Sequence, residues 1–181
     1  MSGEKRTLRE MSSQKGLQVA DLILVAVLLA AGAVLKGVVG SVINFFGMKP
    51  NFIIAMYCLA ILLIRPRLVE AAIIGLLAGA ICQVLPGTPY LNLISELLGA
   101  LAMGLLIKVP MRVSRFDANP IVATFLSTVI SGGSYTVCLF LFMHYESGAL
   151  AAYVPIVLGT ATINAVLVQA LYPAMKKVLK K

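Results

Sequence analysis

Six apolar stretches, at residues 21–43, 52–64, 68–86, 92–108, 119–143 and 149–175, occupy most of this chain and decide what it can fold into. A helix needs roughly 20 predominantly apolar residues to cross the hydrocarbon core of a bilayer. The first, fifth and sixth stretches reach that length, and the third and fourth come near it. The second, Phe52 to Ile64, is short, with Pro50 before it and Arg65-Pro66-Arg67 after it. Proline at both ends hinders its extension. It must therefore tilt, thin the bilayer locally, or be shielded by protein. In transporters such short segments often lie near the ligand site. The expected fold is all-α, a polytopic membrane protein with a bundle of six transmembrane helices and cytoplasmic N- and C-termini.

Composition agrees. Of the 181 residues, 60% are hydrophobic and 12% charged, against roughly 25% charged in a soluble domain. So little polar surface suits lipid rather than water. The expected organisation is a basic cytoplasmic tail over residues 1–16 and one six-helix transmembrane domain over 17–181. Basic residues ahead of an apolar run, and Ala31-Gly32-Ala33, also resemble a signal peptide. The run continues past the usual hydrophobic region of such peptides and more spans follow, so a retained first span is expected.

The net charge of +8 raises nucleic acid and anionic lipid as partners. The basic residues sit between apolar segments rather than among interleaved aromatics, so no nucleic-acid partner is expected and the charges read as topology signals. Six spans with the N-terminus inside place Lys5, Arg6, Arg9 and Lys15 in the cytoplasm. Arg65 and Arg67 in the 2–3 turn, Lys108, Arg112 and Arg115 in the 4–5 turn, and Lys176, Lys177, Lys180 and Lys181 at the C-terminus join them. Of the 15 Lys and Arg, only Lys36 and Lys49 are left toward the outside. A five-span arrangement scatters these charges over both faces.

Polar residues that bear on function gather in the outer half. Asn44, Lys49 and Asn51 lie before the second stretch, and Pro86-Gly87-Thr88-Pro89-Tyr90 leads into the fourth. There Asn92, Glu96 and Gly99 share a helical face by their i, i+4, i+7 spacing. The fifth stretch carries Ser131-Gly132-Gly133-Ser134-Tyr135, and the sixth carries Thr160, Thr162 and Asn164. Glu96 is the sharpest signal, because a carboxylate inside an apolar helix is costly unless paired or hydrated. It reads either as a structural partner of Lys36 or Lys49, or as the contact for a cationic group on a ligand. Lys49 reads as a solvated loop lysine or a holder of a ligand carboxylate. Asn164 reads as an interhelical hydrogen-bond former or a ligand contact.

Small residues such as Gly75, Gly79, Gly99, Gly104, Gly132 and Gly133 are expected at helix–helix contacts. Cys58, Cys82 and Cys138 lack CxxC spacing and a nearby histidine, so they read as small buried hydrophobes, and neither a metal nor another cofactor is expected. Catalysis finds little support. His144 is the sole histidine, and the chain has no HExxH, GxSxG or P-loop, so any ATP energy has to come from a partner.

A chain of this length with six spans, basic cytoplasmic segments and no nucleotide site resembles the S components of energy-coupling factor transporters. Ala26-Val-Leu-Leu-Ala30 in the first span is similar to the AxxxA motif by which those proteins dock on their transmembrane T component. Gly47-Met48-Lys49-Pro50-Asn51 before the short second span resembles the tryptophan-transporter branch, as do Arg65-Pro66-Arg67, Asn164, and Leu171-Tyr172-Pro173 before a lysine-rich tail. The resemblance implies a non-enzymatic subunit that captures a small molecule, tryptophan or a related amino acid, from outside. Its partners are then the lipid bilayer, a T component and two ATPase subunits. On this reading Lys49, Asn51, Asn92, Glu96, Tyr135 and Asn164 hold substrate, and Ala26 and Ala30 dock the partner. A vitamin as ligand, or a six-span envelope scaffold without ligand, remain the alternatives.

Overall fold

The computed structural model describes residues 16–42, 50–85, 88, 90–113, 116–143 and 147–179. Six helices follow in order: α1 (Val19–Val42), α2 (Phe52–Ile64), α3 (Leu68–Val84), α4 (Leu91–Leu106), α5 (Asn119–Met143) and α6 (Ser147–Val178). Their bounds fall within a few residues of the six apolar stretches. Among the described residues, the helices are joined by a minimal antiparallel pair between α4 and α5, β1 (Arg112–Val113) and β2 (Phe116–Asp117). It closes a turn that Asn119 anchors by donating from Nδ2 to the Val109 carbonyl at 2.9 Å.

By length and composition α1, α5 and α6 each contain a stretch able to cross a membrane: Val19–Val39, Asn119–Met143 and Ala152–Val178. Helices α2, α3 and α4 are shorter, at 13, 17 and 16 residues. Of the three accommodations open to the short second stretch, the fold uses shielding. Every residue from Phe52 to Leu63 is buried, and α2 touches all the other helices. Around it α1 packs on α3, α3 on α4, α4 on α5 and α5 on α6. This explains why the sequence of α2 is apolar on every side rather than in a stripe.

The outside of the bundle is also apolar. Val19, Ile23, Val27, Val34 and Val38 of α1 are exposed, as are Val69, Ile73, Leu76 and Leu77 of α3 and Val137, Leu141 and Phe142 of α5. Large exposed apolar patches of this kind belong against lipid or protein.

Local chemistry fixes where the short helices start. Asn51 has extended backbone angles, and its side chain accepts from the Ile53 N–H at 3.3 Å, an N-cap for α2. Arg67 caps α3 in a box with Glu70, whose carboxylate accepts from the Arg67 N–H at 2.9 Å and pairs with its guanidinium at 2.6 Å. Before α4, Tyr90 sits at φ 65°, and its N–H donates to Gln83 Oε1 at 2.8 Å. That bond ties the start of α4 to the last turn of α3.

Candidate functional site

Glu96 lies in the second turn of α4, on the face turned toward the bundle axis, and is 1% exposed. A buried acidic side chain costs several kcal/mol unless it is hydrogen-bonded or paired, so its surroundings have to supply donors. Three other elements do. Asn51, the cap of α2, donates from Nδ2 to Glu96 Oε1. Ser131 of α5 donates from Oγ to Oε2 at 2.9 Å. The Cys82 thiol of α3 lies 3.9 Å from Oε1. Hydrogen bonds to an ionised group contribute about 1.5–3 kcal/mol each, enough to offset that cost.

The cluster extends on both sides. Lys36 of α1, half-buried, reaches Cys82 Sγ with its ammonium at 3.3 Å. It acts on Glu96 electrostatically but makes no direct ion pair with it. On the other side, Asn164 of α6 is fully buried and donates from Nδ2 to the Asn51 carbonyl at 3.1 Å. Its Oδ1 has no partner among the described residues. Beneath Glu96 sits Tyr57 of α2, 0% exposed. Its hydroxyl comes close to Glu96, Ser127 and Ser131 without hydrogen-bond geometry to any of them. It occupies the space that a side chain at Gly99 would need. Ser127 fills out this floor, donating to the Gly99 carbonyl at 2.8 Å and standing 3.3 Å from Cys58 Sγ.

The expected site residues divide as follows. Asn51, Glu96 and Asn164 form one connected network. Asn92 is buried one turn before Glu96, as its spacing predicted. Tyr135 is placed elsewhere. Its hydroxyl donates to Thr88 Oγ1 at 3.1 Å, and its ring packs with Leu91, Cys138, Leu139 and Tyr153 in a separate small cluster. Lys49 lies outside the described residues, as do Asn44 and His144. Ala26 and Ala30 are exposed on the outer face of α1. Cys82 departs from a purely apolar role, because its sulfur stands between a cation and a carboxylate.

A family profile described as "Tryptophan transporter TrpP" matches residues 18–180. The chain belongs to the tryptophan transporter family. Members of that family with similar sequences include the "Probable tryptophan transport protein" of Bacillus subtilis strain 168. It is 26% identical over 168 residues, covering 91% of this chain and 95% of the relative. A protein of the same description from Clostridium acetobutylicum is 26% identical over 168 residues, covering 91% and 96%. No solved structure matches the chain. With its apolar helices and family, this is a bacterial membrane protein with a transport role rather than an enzymatic one.

Two members of the cluster escaped the sequence reading. Tyr57 carries the sole nitrogen- or oxygen-bearing side chain in the otherwise apolar α2, a signal available but not used. Ser127 is one turn of α5 from Ser131, so the pair defines a polar stripe that periodicity alone reveals.

Proposed function

We propose that this chain is the substrate-binding subunit of an importer of the energy-coupling factor type, and that it captures tryptophan at the Glu96 cluster. All six helices cross the membrane, with both termini in the cytoplasm. The buried α2 is accommodated by the shell of helices around it, and the short α3 and α4 by tilt. A T component docks on the face of α1 that carries Ala26 and Ala30, and two ATPase subunits supply the energy that this chain has no motif to extract. The distribution of Lys and Arg supports the orientation. The family supports the substrate.

The single observation that carries the reading is the wholly buried Glu96, held by donors from α2 and α5 and flanked by a thiol of α3. A buried carboxyl group ringed by neutral donors is an acceptor that an incoming ammonium group can use. A cation that displaces the Asn51 amide gains a charge-assisted bond in a low-dielectric setting.

The test is direct binding to the purified full chain in lipid nanodiscs. The chain contains no tryptophan, so bound tryptophan is followed by its own emission. Saturable binding that Glu96→Gln weakens at least tenfold supports the reading. Saturation by a vitamin instead keeps the transport class and changes the substrate. Unchanged tryptophan affinity in Glu96→Gln removes Glu96 from the site.

A further inference from the structure

We infer that Lys36 and Glu96, spaced by the Cys82 thiol, form a two-charge receptor for the zwitterionic head group of an α-amino acid. The inference rests on the proposed substrate-binding reading and goes further by naming what the site recognises.

The argument starts from how each charge is served. Lys36 is a lysine well inside α1, half-buried by its neighbours. Its hydrogen bond goes to Cys82 Sγ at 3.3 Å, and a thiol is a weak acceptor for a group with three strong donors. Glu96 is served by the neutral donors Asn51 and Ser131, and among the described residues no cation touches it. Lys36 and Glu96 thus face one region, and neither has an oppositely charged partner in contact among the described residues.

A simple ion pair is the arrangement that would satisfy both, and the two side chains do not make one. Cys82 projects from the last turn of α3 with its sulfur 3.3 Å from the ammonium of Lys36 and 3.9 Å from Glu96 Oε1. One sulfur atom thus contacts both groups, and Lys36 acts on Glu96 electrostatically without touching it.

A ligand that completes both halves has to carry an ammonium and a carboxylate close together. In an α-amino acid both groups sit on one carbon, with the nitrogen and the carboxyl carbon about 2.5 Å apart by standard bond lengths. Laid across the thiol in the antiparallel sense, its ammonium meets Glu96 and its carboxylate meets Lys36. An amine lacking the carboxylate satisfies Glu96 and leaves Lys36 on a thiol. An acid lacking the ammonium does the reverse. Sites built around specific polar groups discriminate most strongly against analogues that leave those groups unpaired. On this inference the ligand carboxylate goes to Lys36.

The experiment compares three indoles on the full chain in nanodiscs: tryptophan, tryptamine (ammonium only) and indole-3-propionate (carboxylate only). On the unaltered protein, tryptophan is expected to bind at least tenfold tighter than either analogue. Lys36→Gln should weaken tryptophan at least tenfold and leave tryptamine within about twofold. Glu96→Gln should weaken tryptophan while leaving indole-3-propionate within the same margin, and Lys36→Arg should restore part of the lost affinity. Equal loss of tryptophan and tryptamine in Lys36→Gln, or no loss, overturns the receptor. If a variant does not fold, the unaltered protein still decides, because tryptamine binding as tightly as tryptophan overturns the inference alone. Failure of all three indoles to bind the unaltered protein instead removes the proposed substrate.

Discussion

Replacement of Gly75 by alanine tests how closely α3 and α4 must approach for Glu96 to be held in place. A methyl group built on Gly75 lies 2.6 Å from Ala100 Cβ, 2.7 Å from the Glu96 carbonyl oxygen and 3.0 Å from Leu97 Cα. Two of those atoms belong to the main chain of α4, which cannot swing aside as the tip of a side chain can. The helices must separate, and overpacking of this kind costs about 1–3 kcal/mol. Alanine also has a helix preference of about 1 kcal/mol over glycine, which would blur the result if Gly75→Ala were measured alone. Gly133→Ala provides the correction. It is likewise inside a helix, but a methyl group there meets nothing within 4 Å. The difference between the two variants is therefore the overpacking cost alone. At about 2–4 °C per kcal/mol for a chain of this size, Gly75→Ala should melt about 2–12 °C below Gly133→Ala. A thiol-reactive dye is a suitable reporter, because Cys58, Cys82 and Cys138 are free and buried and become reactive on unfolding. Gly75→Ala should also weaken tryptophan binding more than Gly133→Ala does, since the displaced carbonyl belongs to Glu96 itself. Equal melting temperatures would refute the claim that this contact is backbone-limited.

Three further outcomes follow from the same geometry. Asn51→Ala removes both the cap of α2 and a donor to Glu96, so stability should fall by about 2–4 kcal/mol; a loss below about 1 kcal/mol in thermal unfolding would contradict that double role. Ala26→Leu with Ala30→Leu alters exposed positions and should leave stability within about 0.5 kcal/mol and ligand binding intact, while uptake by cells is lost; normal uptake rules out docking through this face. At the other end of α3, Glu70→Ala should lower the melting temperature more than Arg67→Ala, because the buried Glu70 also caps the Arg67 N–H, whereas a pair whose arginine is exposed is worth about 0–1 kcal/mol by itself.

The positions of all six helices were legible because apolar runs in a membrane protein are interrupted mainly where the chain turns. Pro50, Arg65-Pro66-Arg67 and Pro86-Gly87 mark those turns in the sequence. The glycines were legible as a class but not one by one. Gly75, Gly79 and Gly99 each face the main chain or side chains of a neighbouring helix, whereas Gly133 faces open space. Which side of a helix meets a partner is a property of the whole bundle. The hairpin at Arg112–Asp117 left no periodic signal, since two residues per strand are too few to show one.

The polar cluster was legible in proportion to how much each residue breaks the pattern around it. Glu96 is the only acidic residue within its helix, and its cost in lipid announces it. Asn51 and Asn164 stand out for the same reason. Tyr135, one turn from Ser131 in the sequence, instead contacts Thr88 and a separate apolar cluster, a partner that helical spacing alone does not reveal. Lys36 and Cys82 show the limit of such reading. One is 46 residues from the other, each is unremarkable within its own helix, and their meaning lies in the 3.3 Å between them. A half-buried lysine, and a thiol that reaches both its ammonium and the carboxylate, draw two charged groups to one place. That convergence is a packing result, and for the same reason it is where a transported zwitterion would be read.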